Sequence, residues 1–230
     1  MQPSGRLLAW DERRFERRFG VDTGGMVEPA ALTVPVGEVS EGFTHVATPP
    51  RLARWWLGQL PRAASSFTFV DMGSGRGRVL LLAASYGFRR AVGVEFAEEL
   101  HAAALENARA ARAHGLVIEP ILGDAAAFTF PPEPLVIHFN NPFSEQVMER
   151  VLENLTASYE QRPRPVIVVY QQLTEEEGAH RTRNLELLDG CAFLTGRRLA
   201  PNRVIDRKLF GHHTVAVFES PEVSSHSSTA

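Results

Sequence analysis

An acidic residue and three alternating glycines stand together in VDMGSGRGRV (residues 70–79), between an apolar run and a segment with helical character. Gly73, Gly75 and Gly77 can take positive φ and bring bare backbone close to a ligand, and a helix starting there would aim its free amides at it. A dinucleotide fingerprint places its last glycine three residues after the second, a position filled here by Arg78, and no lysine stands in a phosphate-loop context. A carboxylate at Asp71 would repel a pyrophosphate and suits a ligand with an ammonium group. Glu95 ends the next apolar run, about 20 residues on, where acidic side chains accept hydrogen bonds from ribose hydroxyls. Asp124 follows the third run and can accept from the exocyclic amine of an adenine, with Phe128 covering the ring.

Ammonium, ribose and adenine in that order describe S-adenosylmethionine. As an ordered series, roughly residues 65–170 resemble the class I (Rossmann-like) S-adenosylmethionine-dependent methyltransferases. The resemblance implies S-adenosylmethionine as cofactor and S-adenosylhomocysteine as product. VDMGSGRG resembles the first motif of that family, which implies Asp71, Gly73, Ser74 and Gly75 on the methionine and ribose side. GVE resembles its second-strand motif, giving Glu95 the ribose hydroxyls with Phe96 beside it, and GDA resembles its adenine motif, giving Asp124 and the Ala125 amide the base. More narrowly, FVDMGSGRGRVLLLAA with GVE and FNNPF resembles uncharacterised bacterial members distantly similar to the non-SET histone lysine methyltransferases.

The fourth apolar run ends HFNNPFSEQ, and Asn140 to Phe143 resembles the acceptor motif of amino methyltransferases, with Asn141 where that motif has its first proline. Methyl transfer is an in-line displacement, so alignment can supply much of the catalysis. On this reading Asn140 and Asn141 orient a target nitrogen, Asn140 also touches the donor, and Phe143 faces the developing cation. The structural alternative makes Asn140 or Asn141 a helix cap and Pro142 the first helical residue. O-methylation needs a general base or a metal. His45, in GFTHVATPP, is the best-placed histidine, in a segment expected to fold over the sulfonium with Thr48 contributing a hydroxyl. His138 reads as a packed strand residue, His180 as structural, and His212 and His213 as part of a hairpin turn; Tyr170 faces the catalytic rim. No metal-ligand spacing stands out. The leading expectation is N-methylation of an amine on a small molecule, peptide or protein. The alternatives are O-methylation, or a regulatory protein that binds the donor without catalysis.

The elements needed to hold these residues are legible as alternating strands and helices. FTFVD, AVGVE, LVIEPIL, LVIHFN and PVIVVY read as buried strands; RVLLLAASYGF, AEELHAAALENARAARAHG and SEQVMERVLENLTASY read as helices between them. That alternation predicts an α/β fold, a doubly wound, mostly parallel seven-stranded sheet. AFLTGRRLA and HTVAVFES would close it as an antiparallel C-terminal hairpin. Residues 1–48 are expected as an N-terminal helical cap or lid, 49–220 as the Rossmann-like domain and 221–230 as a disordered tail. The chain has 230 residues, 44% of them hydrophobic, a formal charge of −3 and a pI near 6.3, so no global basic field draws it to nucleic acid. The arginines of RRFERRF, RPRP and GRRLAPNR read as solvated faces balanced by nearby Glu and Asp. One cysteine, Cys191, and no run of about 20 apolar residues imply a cytoplasmic protein with no membrane partner.

Overall fold

A computed structural model describes residues 3–28, 31–35, 45–60, 64–173, 183–201, 204–210 and 213–221. The first helix, α1 (Pro3–Phe19), stops at Gly20, whose φ of 64° is left-handed. Two short strands, β1 (Met26–Val27) and β2 (His45–Val46), pair antiparallel. Pro49 and Pro50 open α2 (Pro50–Leu57), which buries Leu52, Ala53, Trp56 and Leu57.

The main sheet follows. Its strands are β3 (Thr68–Met72), β4 (Arg90–Glu95), β5 (Glu119–Leu122), β6 (Leu135–Asn140), β7 (Val166–Leu173), β8 (Thr195–Leu199) and β9 (His213–Glu219). They lie in the order β5-β4-β3-β6-β7-β9-β8, parallel from β5 to β7, with β9 antiparallel to both neighbours. Between them run α3 (Arg78–Tyr86), α4 (Glu98–Arg112), α5 (Glu145–Gln161), α6 (Asn184–Asp189) and α7 (Val204–Phe210). Successive strand residues point to opposite faces. Phe69, Val136 and Val169 accordingly join Phe15, Trp56 and Leu80 in one core, while Val70, Ile137 and Val168 join Met148, Val151 and Leu155 in the other. Burial on both faces explains why the strands read as unbroken apolar runs.

The expected α/β class, seven strands and antiparallel C-terminal pair are all present, with three differences of detail. β7 continues to Leu173 because Gln171, Gln172 and Leu173 keep pairing with β9. The 116–122 strand is reduced to β5 at the sheet edge. The connection between β8 and β9 is not a tight turn: VIDRKLF folds as α7 and buries Leu209 and Phe210 in the first core. Among the described residues no helix is long and apolar enough to cross a membrane. Of the expected tail, 221–230, residues 222–230 lie outside the described residues.

Candidate active site

Strand order reverses between β3 and β6, and in an open α/β sheet the crevice at the carboxyl ends of such strands is where ligands bind. The loop leaving β3 is left-handed at Gly73 (φ 79°), Gly75 (φ 53°) and Gly77 (φ 83°), where side-chain-bearing residues would be strained. At Gly73 an added Cβ would also lie 2.6 Å from the Pro142 Cβ, so the loop after β6 presses directly on the glycine loop. Gly93 of β4 has the same relation to Ser74, at 2.6 Å.

Glu95 ties this loop in place. Its Oε2 accepts from the Gly75 amide at 2.7 Å and its Oε1 from the Ala97 amide at 3.0 Å. Burial raises the Glu95 pKa above the usual carboxylate range; the amides of Ala97, Gly75 and Phe96 oppose the rise, and the Asp71 charge adds to it.

Strand register builds a row of polar side chains beside the loop. Asp71 lies opposite His138, and Asn140 opposite Gln171. The Asp71 Oδ1 is 2.7 Å from the His138 Nδ1, and the imidazole stacks on Trp56 with centroids 4.9 Å apart. Which atom donates in this contact depends on the imidazole tautomer. Gln171 Nε2 donates to Asn140 Oδ1 at 3.0 Å and to Thr48 Oγ1 at 3.4 Å, and Asn140 Nδ2 donates to the Val46 carbonyl at 3.0 Å. Asn141 holds φ 42°, and its Oδ1 accepts from the Tyr170 hydroxyl at 2.8 Å. The following helix is capped by Ser144, which accepts from the Val147 amide, and neither asparagine is its cap.

One cavity is walled on one side by Asp71, Gly73, Ser74, Glu95 and Phe96, and on the other by Thr48, His138, Asn140, Asn141 and Pro142. Gly75, Asp124, Ala125 and Phe143 do not line it. Asp124 Oδ1 accepts from the Ala126 amide at 2.8 Å, one residue beyond Gly123, whose amide donates to the Glu95 carbonyl at 2.9 Å. Ala125 is buried beside it. Phe143 is buried in the second core, edge-to-face with Phe139, because its position after Pro142 turns it under the sheet end. The His45 backbone pairs with Val27, but its side chain lies outside the described residues, as do His180 and His212; His213 opens β9.

Sequence reasoning missed three participants. His138 lines the cavity although it reads as a packed strand residue; a polar residue opposite Asp71 in a parallel ladder is the signal that could have found it. Gln171 sits beyond the expected strand end. Arg78, which in sequence only excluded a glycine, is 4% exposed and reaches back to the N-terminal segment. Its Nε donates to Thr23 Oγ1 at 2.9 Å, its Nη1 to the Thr48 carbonyl at 3.3 Å, and its Nη2 pairs with Glu12 and Glu16 of α1.

No protein-family model matches the chain, and no curated protein matches it. Solved structures do. The CcbJ methyltransferase from Streptomyces caelestis superposes with a TM-score of 0.54 at 19% identity, over 76% of this chain and 97% of that one. Magnesium protoporphyrin IX methyltransferase from Synechocystis PCC 6803, with bound S-adenosylhomocysteine, gives 0.50 at 11% identity, over 74% and 83%. The fold is that of the Rossmann-like methyltransferases. In this methyltransferase fold the cavity described above occupies the switch-point crevice.

Proposed function

We propose that the chain is an S-adenosylmethionine-dependent methyltransferase whose acceptor is an amine of a small molecule, peptide or protein. The observation that carries the reading is two buried carboxylates, Asp71 and Glu95, walling one switch-point cavity beside three left-handed glycines. Two further polar atoms of that wall, Ser74 Oγ and His138 Nε2, are buried without a partner in the protein. A ligand bearing an ammonium and a carboxylate suits such a wall, since an unsatisfied buried polar group costs about 1–3 kcal/mol. Asp71 has a second oxygen for the ammonium, Ser74 a hydroxyl for the carboxylate, and Glu95 spare lone pairs for ribose hydroxyls. Asp124 and the Ala125 amide, next to Glu95 at the sheet edge, take the adenine.

The donor supplies a sulfonium-bound methyl group and leaves as a neutral thioether. What this chain adds is alignment and dryness. Asn140 is held from both ends, by Val46 and Gln171, so its amide oxygen, which can accept a second bond, is aimed without a loose rotamer. Asn141 and Pro142 bring the acceptor loop against Gly73, so donor and acceptor positions are fixed by one contact. A second reading, O-methylation, is favoured by the Asp71–His138 pair, which resembles a carboxylate-oriented general base.

Transfer of a labelled methyl group from S-adenosylmethionine into a lysate of the source organism, resolved into small-molecule, protein and nucleic-acid fractions, tests the proposal. Label is expected on nitrogen in the first or second fraction. Label on oxygen that disappears in His138→Asn would favour the second reading, and donor binding with no transfer to any fraction would mark a regulatory protein.

A further inference from the structure

The helix α1 carries exposed residues at 6, 10, 13, 14, 17 and 18, a spacing that lays all six along one face. Five are arginines and the sixth is Trp10, 46% exposed, with the Arg14 guanidinium 5.3 Å from its ring centroid. The sequence suggests that neighbouring acidic residues neutralise this run, but the structure turns those residues away. Asp11 pairs with Arg54 of α2, and Glu12 and Glu16 pair with the buried Arg78. Among the described residues, none of Arg6, Arg13, Arg14, Arg17 and Arg18 forms a salt bridge with a carboxylate. A chain of net charge −3 thus presents a locally cationic ridge.

We propose that this face of α1 binds a single strand of nucleic acid, by its phosphodiester backbone and one unpaired base. From Arg6 to Arg18 the helix rises about 18 Å over twelve steps, room for several phosphates of an extended strand. Arginine forks match phosphate oxygens, and an exposed indole offers a flat partner to a base of any identity. An unstacked base is available in a single strand and not in a duplex. A membrane surface fits less well: the apolar side of α1 is spent in the core, where Phe15 is 1% and Phe19 7% exposed, so the helix has no face to insert. An acidic peptide would engage the arginines and leave Trp10 unused. The proposal stands on α1 alone and does not depend on the methyl-donor reading.

Fluorescence anisotropy of labelled oligouridylate and oligodeoxythymidylate with the full chain tests it, the two sugars separating RNA from DNA. Poly-glutamate serves as competitor, and vesicles of phosphatidylcholine with phosphatidylserine are measured in parallel by co-sedimentation. Binding of at least one oligonucleotide is expected, weakening with salt at a logarithmic slope between about −2 and −4. Trp10→Ala should weaken it by roughly tenfold, and the pair Arg13→Glu with Arg17→Glu by more than tenfold, each with an unchanged melting temperature because these side chains are exposed. Absence of binding at low salt, displacement by poly-glutamate at equal charge, vesicle binding as tight as oligonucleotide binding, or indifference to Trp10→Ala would each overturn the proposal.

Discussion

Glu95 does two jobs with one carboxylate: it holds the Gly75 and Ala97 amides and offers its remaining lone pairs to the cavity. Replacing it with alanine should therefore weaken S-adenosylhomocysteine binding by about 1–3 kcal/mol in a folded protein, measured by calorimetry. Because burial raises its pKa, the contribution of Glu95 to stability is full below the unfolded-state value and is lost as the pH rises through the higher folded value. Carbon NMR of the side-chain carboxyl should place its midpoint above the usual glutamate range; a midpoint within or below that range would contradict the burial account. Gly73→Ala sets a Cβ 2.6 Å from Pro142 on a left-handed backbone, so a loss of about 2–4 kcal/mol in unfolding free energy is expected from strain and overpacking together. At this scale Asp71 and Glu95 were legible because acidic residues at strand ends after glycine loops have few other uses. His138 and Gln171 were not, because their roles come from cross-strand neighbours that only the register supplies.

Arg78 links elements. It joins α3, at whose first turn it sits, to α1 through Glu12 and Glu16, and to the segment before α2 through the Thr48 carbonyl. Breaking a fully buried pair costs about 3–5 kcal/mol, but Glu12 and Glu16 keep side-chain exposures of 34% and 22%, so Arg78→Met should cost about 2 kcal/mol. Arg78→Lys should restore little of it, because an ammonium cannot span the hydroxyl, the carbonyl and two carboxylates at once. Hydrogen exchange should then show α1 amides losing protection while those of β3, β6 and β7 keep theirs; uniform loss would mean that Arg78 supports the whole domain instead. The strands and α3 to α5 could be read from period, with glycine stops after α3 and α4. α7 could not, since VIDRKLF, although followed by Gly211, is too short between two strand-like segments to show a helical period, and it gains its stability from packing Leu209 and Phe210.

At the scale of the molecule, one core spans the expected boundary at residue 48. Phe15, Phe19 and Val21 belong to the same core as Leu52, Trp56 and Phe69. A chain beginning at residue 49 should therefore lose its cooperative thermal transition, and a full chain should melt in one step by circular dichroism; two separate transitions in the full chain would argue for an independent cap. The sheet and the places of Asp71 and Glu95 in the cavity wall were readable in advance because one ordered series of motifs spans them. Thr48, Asn140 and Asn141 were also named in advance, but not how they meet, because Gln171 joins Thr48 to Asn140 across segments distant in sequence. This cavity is proposed to hold S-adenosylmethionine. Titration calorimetry of the full chain with S-adenosylhomocysteine and, separately, with NAD tests it most directly: submillimolar binding of the first and none of the second is predicted, and the opposite preference would contradict the account.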